Sequence, residues 1–570
     1  MENFKPVKRL FKLLEADKKD ISQVYIYSIF IGLLNLSLPL GIQAIVNYIQ
    51  AGQVSTSWIV LVFMVVTGII LAGILQIFQL RITENLQQKI FVRSSFEFAF
   101  RIPRFELKSI RNIYAPELVN RFFDTMTLQK GLPKLLIDFS TAALQLFFGL
   151  ILLSIYHPFF IFFSLVLLVT LVVLLTLTAK KGLSTSIQES KYKYKVAFWL
   201  EELARTMNTF KIAGNSNLPL EKTNELVASY LKERENHFKV IYKQFLQLIG
   251  FKSVIAFFLL MIGGFLVINQ QINIGQFIAA EIIILLVINS VEKIIINIEN
   301  LYDVLTAIDK LGTVTDIPIE SEGGRLVCET NDKPHEINIT NLSYRFTEKS
   351  KYIFENINLK IESAQHTAII GDDGAGKTTF LNLIGNLFPI DEGTISFNKI
   401  PAVDLKLDYL RSTIGEYISE QKLFLGTIEE NITMNRPGIS MQDLIWACEK
   451  VKLLEYIQTS KQGFASLIDP NGKSFSRSVT QKIILARCIV NKPKMLLMDD
   501  QQRFTSNSMK NIDHLTTLLF DENASWTLIA TTKNEQLLQH FKQIVKLEEG
   551  KIIFQGTYPE YQVYLNNLKS

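Results

Sequence analysis

The stretch Gly371-Asp372-Asp373-Gly374-Ala375-Gly376-Lys377-Thr378-Thr379 carries residue types, in a spacing, that can hold a polyphosphate. In the pattern Gly-x4-Gly-Lys-Thr, backbone N–H groups and a helix N-terminus surround the phosphates. Lys377 reaches the terminal phosphates and the Thr378 hydroxyl ligates Mg2+. The flanks fit, since "HTAII" before the loop reads as a strand and "TFLNLIGNLF" after it as a helix. Further on, "KPKMLLMDD" reads as a buried strand ending in two acids, and Asp499 is placed to hold Mg2+ through water. Together these residues point to binding of a nucleoside triphosphate with its metal.

Asp372 and Asp373 put two carboxylates inside a loop that must receive an anion. The main donors are backbone amides, which do not depend on side-chain identity, so both acids can point outward and leave the cradle intact. A poorly screened carboxylate opposes phosphate and solvent exposure reduces that opposition. Nucleotide binding is therefore expected to survive in weakened form.

The elements that must position this loop follow a sharp division in composition. The chain has 570 residues, more than one domain usually holds. Residues 1–310 contain long apolar runs and read as an all-α polytopic membrane domain. Residues 311–335, with "ESEGG" and "TNDKP", read as a linker, and 336–570 as an α/β domain built around the phosphate loop.

A helix of roughly 20 apolar residues crosses a bilayer core of about 30 Å. Such segments occur at about 21–48, 58–80, 134–156, 157–178, 248–270 and 275–298, which predicts six transmembrane helices. The first is too long for a removable signal peptide and lacks a small-residue cleavage site. Short links near Gln50–Ser57, Tyr156–Pro158 and Asn269–Ile274 contain no Lys or Arg, whereas the N-terminal segment carries Lys5, Lys8, Arg9, Lys12, Lys18 and Lys19. Positive charge marks the cytoplasmic side, so both termini are expected there, in a multi-pass protein of the plasma (inner) membrane. The polar segments 81–133 and 179–247 have helix-like apolar spacing and are expected to carry the spans well beyond the bilayer. Asp138, Glu281, Glu292 and Lys293 lie near or in the spans. Glu281 is expected to face an aqueous cavity or another helix.

A net charge of +5 is small for this length, and no basic stripe with interleaved aromatics occurs, which argues against nucleic acid as a partner. Cys328, Cys448 and Cys488 are too widely spaced for a metal site or a disulfide framework and read as ordinary thiols.

Six spans with long cytoplasmic extensions, followed in one chain by this domain, resemble an ABC transporter half of the exporter type. The words carrying the resemblance come in the family's order: "LSYRF", "GDDGAGKTT", "DEGTISFN", "LFLGTIEENI", "SFSRSVTQKIILARCIV", "KPKMLLMDD" and "IVKLEEGKIIFQGT". In the membrane half, "ELVNRFFDT" and "IGQFIAAEIIILLVINSVEKI" look most like the type I secretion, or hemolysin-type, branch. With the chain starting about 20 residues before the first span, no N-terminal peptidase of the kind found in some bacteriocin exporters is expected.

The resemblance implies ATP and Mg2+ as ligands and a homodimer, or a heterodimer with another ABC half-transporter. Two ATP molecules would be clamped between P-loops and the partner's signature sequences. Segments around Leu107–Thr125 and Arg205–Asn217 would couple closure to the spans. A periplasmic adaptor would accompany a secretion role. The exported substrate, a peptide, protein or other amphipathic molecule, is not named by the sequence.

Several family positions are altered. The adenine-stacking aromatic falls on Phe346, which can still stack. The glutamine loop aligns on Ser419, and Gln421 would restore it in a shifted register. The signature Leu-Ser-Gly-Gly-Gln is Phe475-Ser476-Arg477-Ser478-Val479, so only Ser476 remains. Side chains now stand where glycine lets backbone approach the opposite phosphate. Arg477 either supplies a new phosphate contact or reflects drift. The general-base glutamate is Asp500, one methylene shorter, and the interface aspartate is Ser506. The switch histidine aligns on Thr531, with Thr532 beside it, a residue that hydrogen-bonds phosphate without carrying charge. Holding residues mostly remain while splitting residues mostly differ. Two functions are thus expected: an exporter subunit with impaired hydrolysis, or a regulatory or partner subunit in which ATP binding switches conformation.

Overall fold

The computed structural model describes residues 5–50, 56–111, 113–327, 333–347, 349–418, 421–469, 475–499, 516–521 and 526–569. Its contacts divide the chain into two compact units. One is Met1–Phe105 with Asn112–Pro318, and the other is Glu106–Arg111 with Ile319–Ser570.

The first unit is helical. Among the described residues six helices, Lys18–Gln50, Thr56–Arg104, Ala115–Tyr156, Pro158–Arg205, Leu218–Ile268 and Ile274–Thr315, are long and apolar enough to cross a membrane. The fifth has 51 residues, so at 1.5 Å per residue it is roughly 77 Å long against a bilayer core of about 30 Å. Its polar portion therefore continues far outside the apolar stretch, as the spacing in 179–247 requires.

Two breaks have local causes. The first span is interrupted at Leu36, between helical pieces Lys18–Asn35 and Ser37–Gln50. Pro39 has no N–H to bond the carbonyl of residue 35, so the ladder cannot run through. In the third span the α-helical ladder gives way to a π-turn at Leu135–Phe139, just after Pro133.

The sixth helix is enclosed by its neighbours, with Ala279, Ala280, Ile283, Val287 and Val291 all buried. Some polar side chains inside the unit pair with one another. Gln79 Nε2 donates to Ser28 Oγ at 2.7 Å and to the Val24 carbonyl at 3.0 Å. Lys252 forms an ion pair with Glu292, which accounts for one of the acids within the spans.

In the second unit an antiparallel sheet contains β1 (Ile337–Tyr344), β2 (Phe354–Ile361), β4 (Glu392–Phe397) and β5 (Ile400–Pro401), in the order β2-β1-β4-β5. The larger sheet contains β3 (Thr367–Ile370), β6 (Ile414–Tyr417), β9 (Met495–Asp499), β10 (Thr527–Thr531), β11 (Gln543–Glu548) and β12 (Lys551–Gly556). Their order is β12-β11-β3-β10-β9-β6. A small pair, β7 (Gly426–Thr427) and β8 (Leu467–Ile468), lies apart. β11, β3, β10, β9 and β6 run parallel and β12 antiparallel.

β3, β9 and β10 are buried along their whole length, which is why their sequences are continuous apolar runs without alternation. The helix Lys377–Ile384 packs Phe380, Leu381, Leu383 and Ile384 into a core shared by both sheets, with Phe380 edge-on to Phe354 at 5.5 Å between ring centroids. A second core holds the helix Arg477–Ile489, through Ile483, Leu485 and Ile489, against Leu496, Leu528 and Ile544.

Candidate nucleotide site

Strand register assembles the site. Thr531 pairs with Asp499 across β10 and β9, and with Ile369 across β10 and β3. The ends of three neighbouring parallel strands therefore meet, and the loop 371–379 leaves the end of β3 there. Ligands of open parallel sheets bind outside the carboxyl ends of strands, where the chain turns from strand to helix.

Glycine is required by geometry at two loop positions. Gly376 has φ +90°, and a Cβ there would stand 2.8 Å from the Phe354 ring. A Cβ on Gly371 would stand 2.4 Å from the Leu547 carbonyl oxygen. The loop thus wraps tightly over the core, and Gly376 directly precedes the helix that starts at Lys377.

Inside this wrap one buried carboxylate joins two hydroxyls. Thr378 Oγ1 donates to Asp499 Oδ2 at 2.6 Å, and Thr531 Oγ1 donates to Asp499 Oδ1 at 2.6 Å. Asp499 is fully buried and Thr531 nearly so. The Thr531 hydroxyl therefore orients the carboxylate in this structure. A carboxylate and a hydroxyl side by side are oxygen ligands of the kind a hard divalent cation takes, with further positions filled by phosphate and water, so the residues fit Mg2+.

Lys377 is buried, and its Nζ donates to the carbonyls of Gly371 at 2.9 Å and Asp372 at 2.7 Å. Burial lowers its pKa, and the charge of Lys533 acts in the same direction. The Asp372 and Asp373 side chains are exposed, as an intact amide cradle requires. Asp373 is not unpartnered, however. It accepts from Lys533 Nζ at 2.6 Å, a contact that holds its carboxyl below the usual range. Lys533 escaped the reading of the sequence, which stopped at Thr531 and Thr532. An acid in the loop and a base just after the strand were the available signal.

The other residues named from sequence lie further along the same unit. Phe346 packs edge-on against Tyr344 and Phe388, with centroid distances of 5.3 and 5.8 Å, against the core that Ala375 also borders. The Arg111 guanidinium carbon sits 3.3 Å from its ring centroid. Ser476 has an extended backbone (φ −63°, ψ 152°) and caps the helix Arg477–Ile489, accepting from the Val479 N–H at 3.3 Å. Ser419, Asp500, Ser506 and Cys328 lie outside the described residues. Cys448 and Cys488 are buried free thiols, each pushed up to about 12 by burial.

Gln421, beyond the end of β6, donates to the carbonyl of Glu416 on that strand at 2.7 Å. Glu416, on β6, has a carboxyl pushed by burial from 4.5 up to about 7, with Arg411 opposing the shift. Its Oε1 is shut off from solvent without a hydrogen bond. A carboxyl that holds its proton more tightly when folded contributes stability that is whole below about pH 4.5 and is lost as pH rises through about 7. We expect Glu416→Gln to remove about 3 kcal/mol of this pH dependence. Thermal midpoints of the full chain in detergent across pH 5 to 8 check it, and an unchanged slope would contradict it.

Comparison with known proteins agrees with this geometry. The family model of the ABC transporter transmembrane region matches residues 24–291 and that of the ABC transporter matches 354–502. The chain is similar to the alpha-hemolysin translocation ATP-binding protein HlyB of Escherichia coli O157:H7, 28% identical over 367 residues, covering 64% of this chain and 51% of the relative. It is also 26% identical over 381 residues to the leukotoxin translocation ATP-binding protein LktB of a Pasteurella haemolytica-like strain, covering 65% and 52%. The chain spans about half the length of the curated relatives it matches. Among solved structures, a bacterial Atm1-family ABC exporter with ATP bound has the same fold, with TM-score 0.84, 14% identity and 96% of each chain covered. The glycine loop closing on a buried aspartate, the six apolar helices and both matched regions place this chain in the ABC transporter family, with transmembrane region and ATPase domain in one polypeptide.

Proposed function

We propose that this chain is an exporter half-transporter that binds Mg-ATP at residues 371–379, works as a dimer and hydrolyses ATP slowly. The observation that carries the reading is Asp499 held between Thr378 and Thr531 at the end of three parallel strands. Phe346 would stack on the base, and Gly371, Asp372, Asp373, Gly374, Ala375, Gly376, Lys377, Thr378 and Thr379 would enclose the phosphates with their amides. Thr378 and Asp499 would hold Mg2+, which when bound neutralises charge on the phosphates. Thr531 keeps Asp499 in place, Ser476 would serve the partner's nucleotide, and Asp500 stands where the general base is expected.

The dimer is a homodimer or a pair with another ABC half-transporter. Similarity to toxin translocation proteins favours a peptide or protein cargo, and with it a periplasmic adaptor. The positive N-terminal segment supports cytoplasmic termini in the inner membrane.

ATP hydrolysis by the full chain in lipid tests the proposal. Slow Mg2+-dependent turnover, abolished in Lys377→Ala and raised roughly 100-fold in Asp500→Glu by restored reach to the attacking water, is the expected result. ATP binding without turnover in either the native chain or Asp500→Glu would favour the second reading, a regulatory or partner subunit. The altered Phe475–Val479 segment and Asp500 support that reading, in which ATP shifts a conformation by differential affinity alone.

A further inference from the structure

Phe346, the ring on which a base would stack, is already covered. The Arg111 guanidinium carbon lies 3.3 Å from the ring centroid. Two carbons meet at about 3.5–4.0 Å, so guanidinium and ring are in full contact and no flat group fits between them. Phe346 is half-buried against the core with Tyr344 and Phe388, whereas Arg111 is exposed. The guanidinium therefore lies on the side of the ring that faces water, from which a base arrives.

One carboxylate sets up this contact. Asp391 Oδ1 accepts from Lys108 Nζ at 2.6 Å, and Asp391 Oδ2 accepts from the Arg345 N–H at 2.9 Å. Lys108 lies in the short helix Leu107–Ile110, which Arg111 ends, and Arg345 directly precedes Phe346. Lys108 Nζ also stands 5.5 Å from the Tyr344 ring centroid. The segment Glu106–Arg111, part of the second unit, is thus held in register with the end of β1. Arg111 rests on Phe346 by cation–π attraction, which at an exposed site is worth only about two- to fivefold in an equilibrium constant.

We propose that Arg111 is a movable cover on the base seat, stacked on Phe346 until the base of an incoming nucleotide displaces it. The inference rests on the reading of Phe346 as the residue that stacks on the base. Stacking of a base on an aromatic ring is stronger than an exposed cation–π contact, so the base wins the face. Its affinity is lowered by the hold that Arg111 has on the ring. The cover acts against the base and not against phosphate. It therefore weakens nucleoside di- and triphosphates alike, measured against a bare polyphosphate. Because base and guanidinium exclude each other on one face, a bound base also frees Arg111, while Lys108 stays on Asp391.

Equilibrium binding of Mg-ATP and of Mg-tripolyphosphate to the full chain in lipid nanodiscs tests this, in the native chain, Arg111→Ala, Phe346→Ala and the double variant. The ratio of the two affinities isolates the base, since loss of the Arg111 charge acts on both polyanions. Arg111→Ala should raise the preference for ATP about two- to fivefold. Phe346→Ala should lower it about tenfold, and in that background Arg111→Ala should change nothing, because no ring is left to compete for. An unchanged preference in Arg111→Ala would mean that base and guanidinium do not share a face. A lowered one would mean that Arg111 holds the base instead of covering its seat, and either result overturns the proposal. If Phe346→Ala leaves the preference unchanged, or the native chain binds neither ligand, the reading of the nucleotide site itself fails and the cover with it.

Discussion

Lys377→Ala is expected to weaken Mg-ATP binding roughly 100-fold, the combined worth of two charge-assisted hydrogen bonds to phosphate. The lysine is buried within the wrap of the loop, and its ammonium is satisfied by the Gly371 and Asp372 carbonyls. It is therefore already positioned at the phosphate cradle, and little ordering cost remains when phosphate binds. Alanine removes the positive charge from a site that keeps Asp372, Asp373 and Asp499. The effect should fall on diphosphate as well as triphosphate. Titration of either nucleotide onto the full chain checks it. Unchanged binding would mean that the loop is not where nucleotide sits.

The second large effect is expected in the helical unit. Gly182, on the helix Pro158–Arg205, faces Tyr302, and a Cβ there would lie 2.3 to 2.5 Å from Cζ, Cε2 and the hydroxyl oxygen. Tyr302 is almost fully buried, and its hydroxyl accepts from Gln244 Nε2 at 2.9 Å. Gln244 Nε2 also donates to Thr178 Oγ1 at 2.8 Å. Three helices, Pro158–Arg205, Leu218–Ile268 and Ile274–Thr315, are thus tied at one point by one amide and one ring.

Gly182→Ala must push the ring aside, which combines overpacking with a broken buried hydrogen bond. Each contributes about 1–3 kcal/mol, so a loss of about 3 kcal/mol or more is expected. The thermal midpoint of the full chain in detergent should fall by several degrees. In a Tyr302→Ala background, itself destabilised by the lost ring, Gly182→Ala should add little further loss because the colliding atoms are gone. In a Tyr302→Phe background it should cost nearly as much as in the native chain, because the ring carbons that collide are still present. Full stability in Gly182→Ala alone would show that the helices slide apart at low cost.

Much of this protein is legible along the chain. Apolar runs of spanning length mark the six helices, because a bilayer leaves backbone polar groups no partner outside the helix. The glycine loop is equally plain, since its function depends on backbone amides and on close approach at Gly371 and Gly376, and both requirements act locally. Pro39 and Pro133 mark breaks within helices for the same kind of reason.

Tertiary structure alone decided which side chains share the loop mouth. Lys533 and Asp373 are 160 residues apart, and they meet because β3 and β10 are neighbours in a parallel sheet. The order β3-β10-β9 is set by crossovers and register that no local pattern records. The same holds for Glu416, whose titration follows from what covers it, and for Gln244, whose amide finds Thr178 and Tyr302 on two other helices. Side-chain type and spacing specify what a segment can bind or bury. Only strand order and helix packing bring distant charges within hydrogen-bonding range, because those interactions fall off over a few ångströms while the chain between them is free to run anywhere.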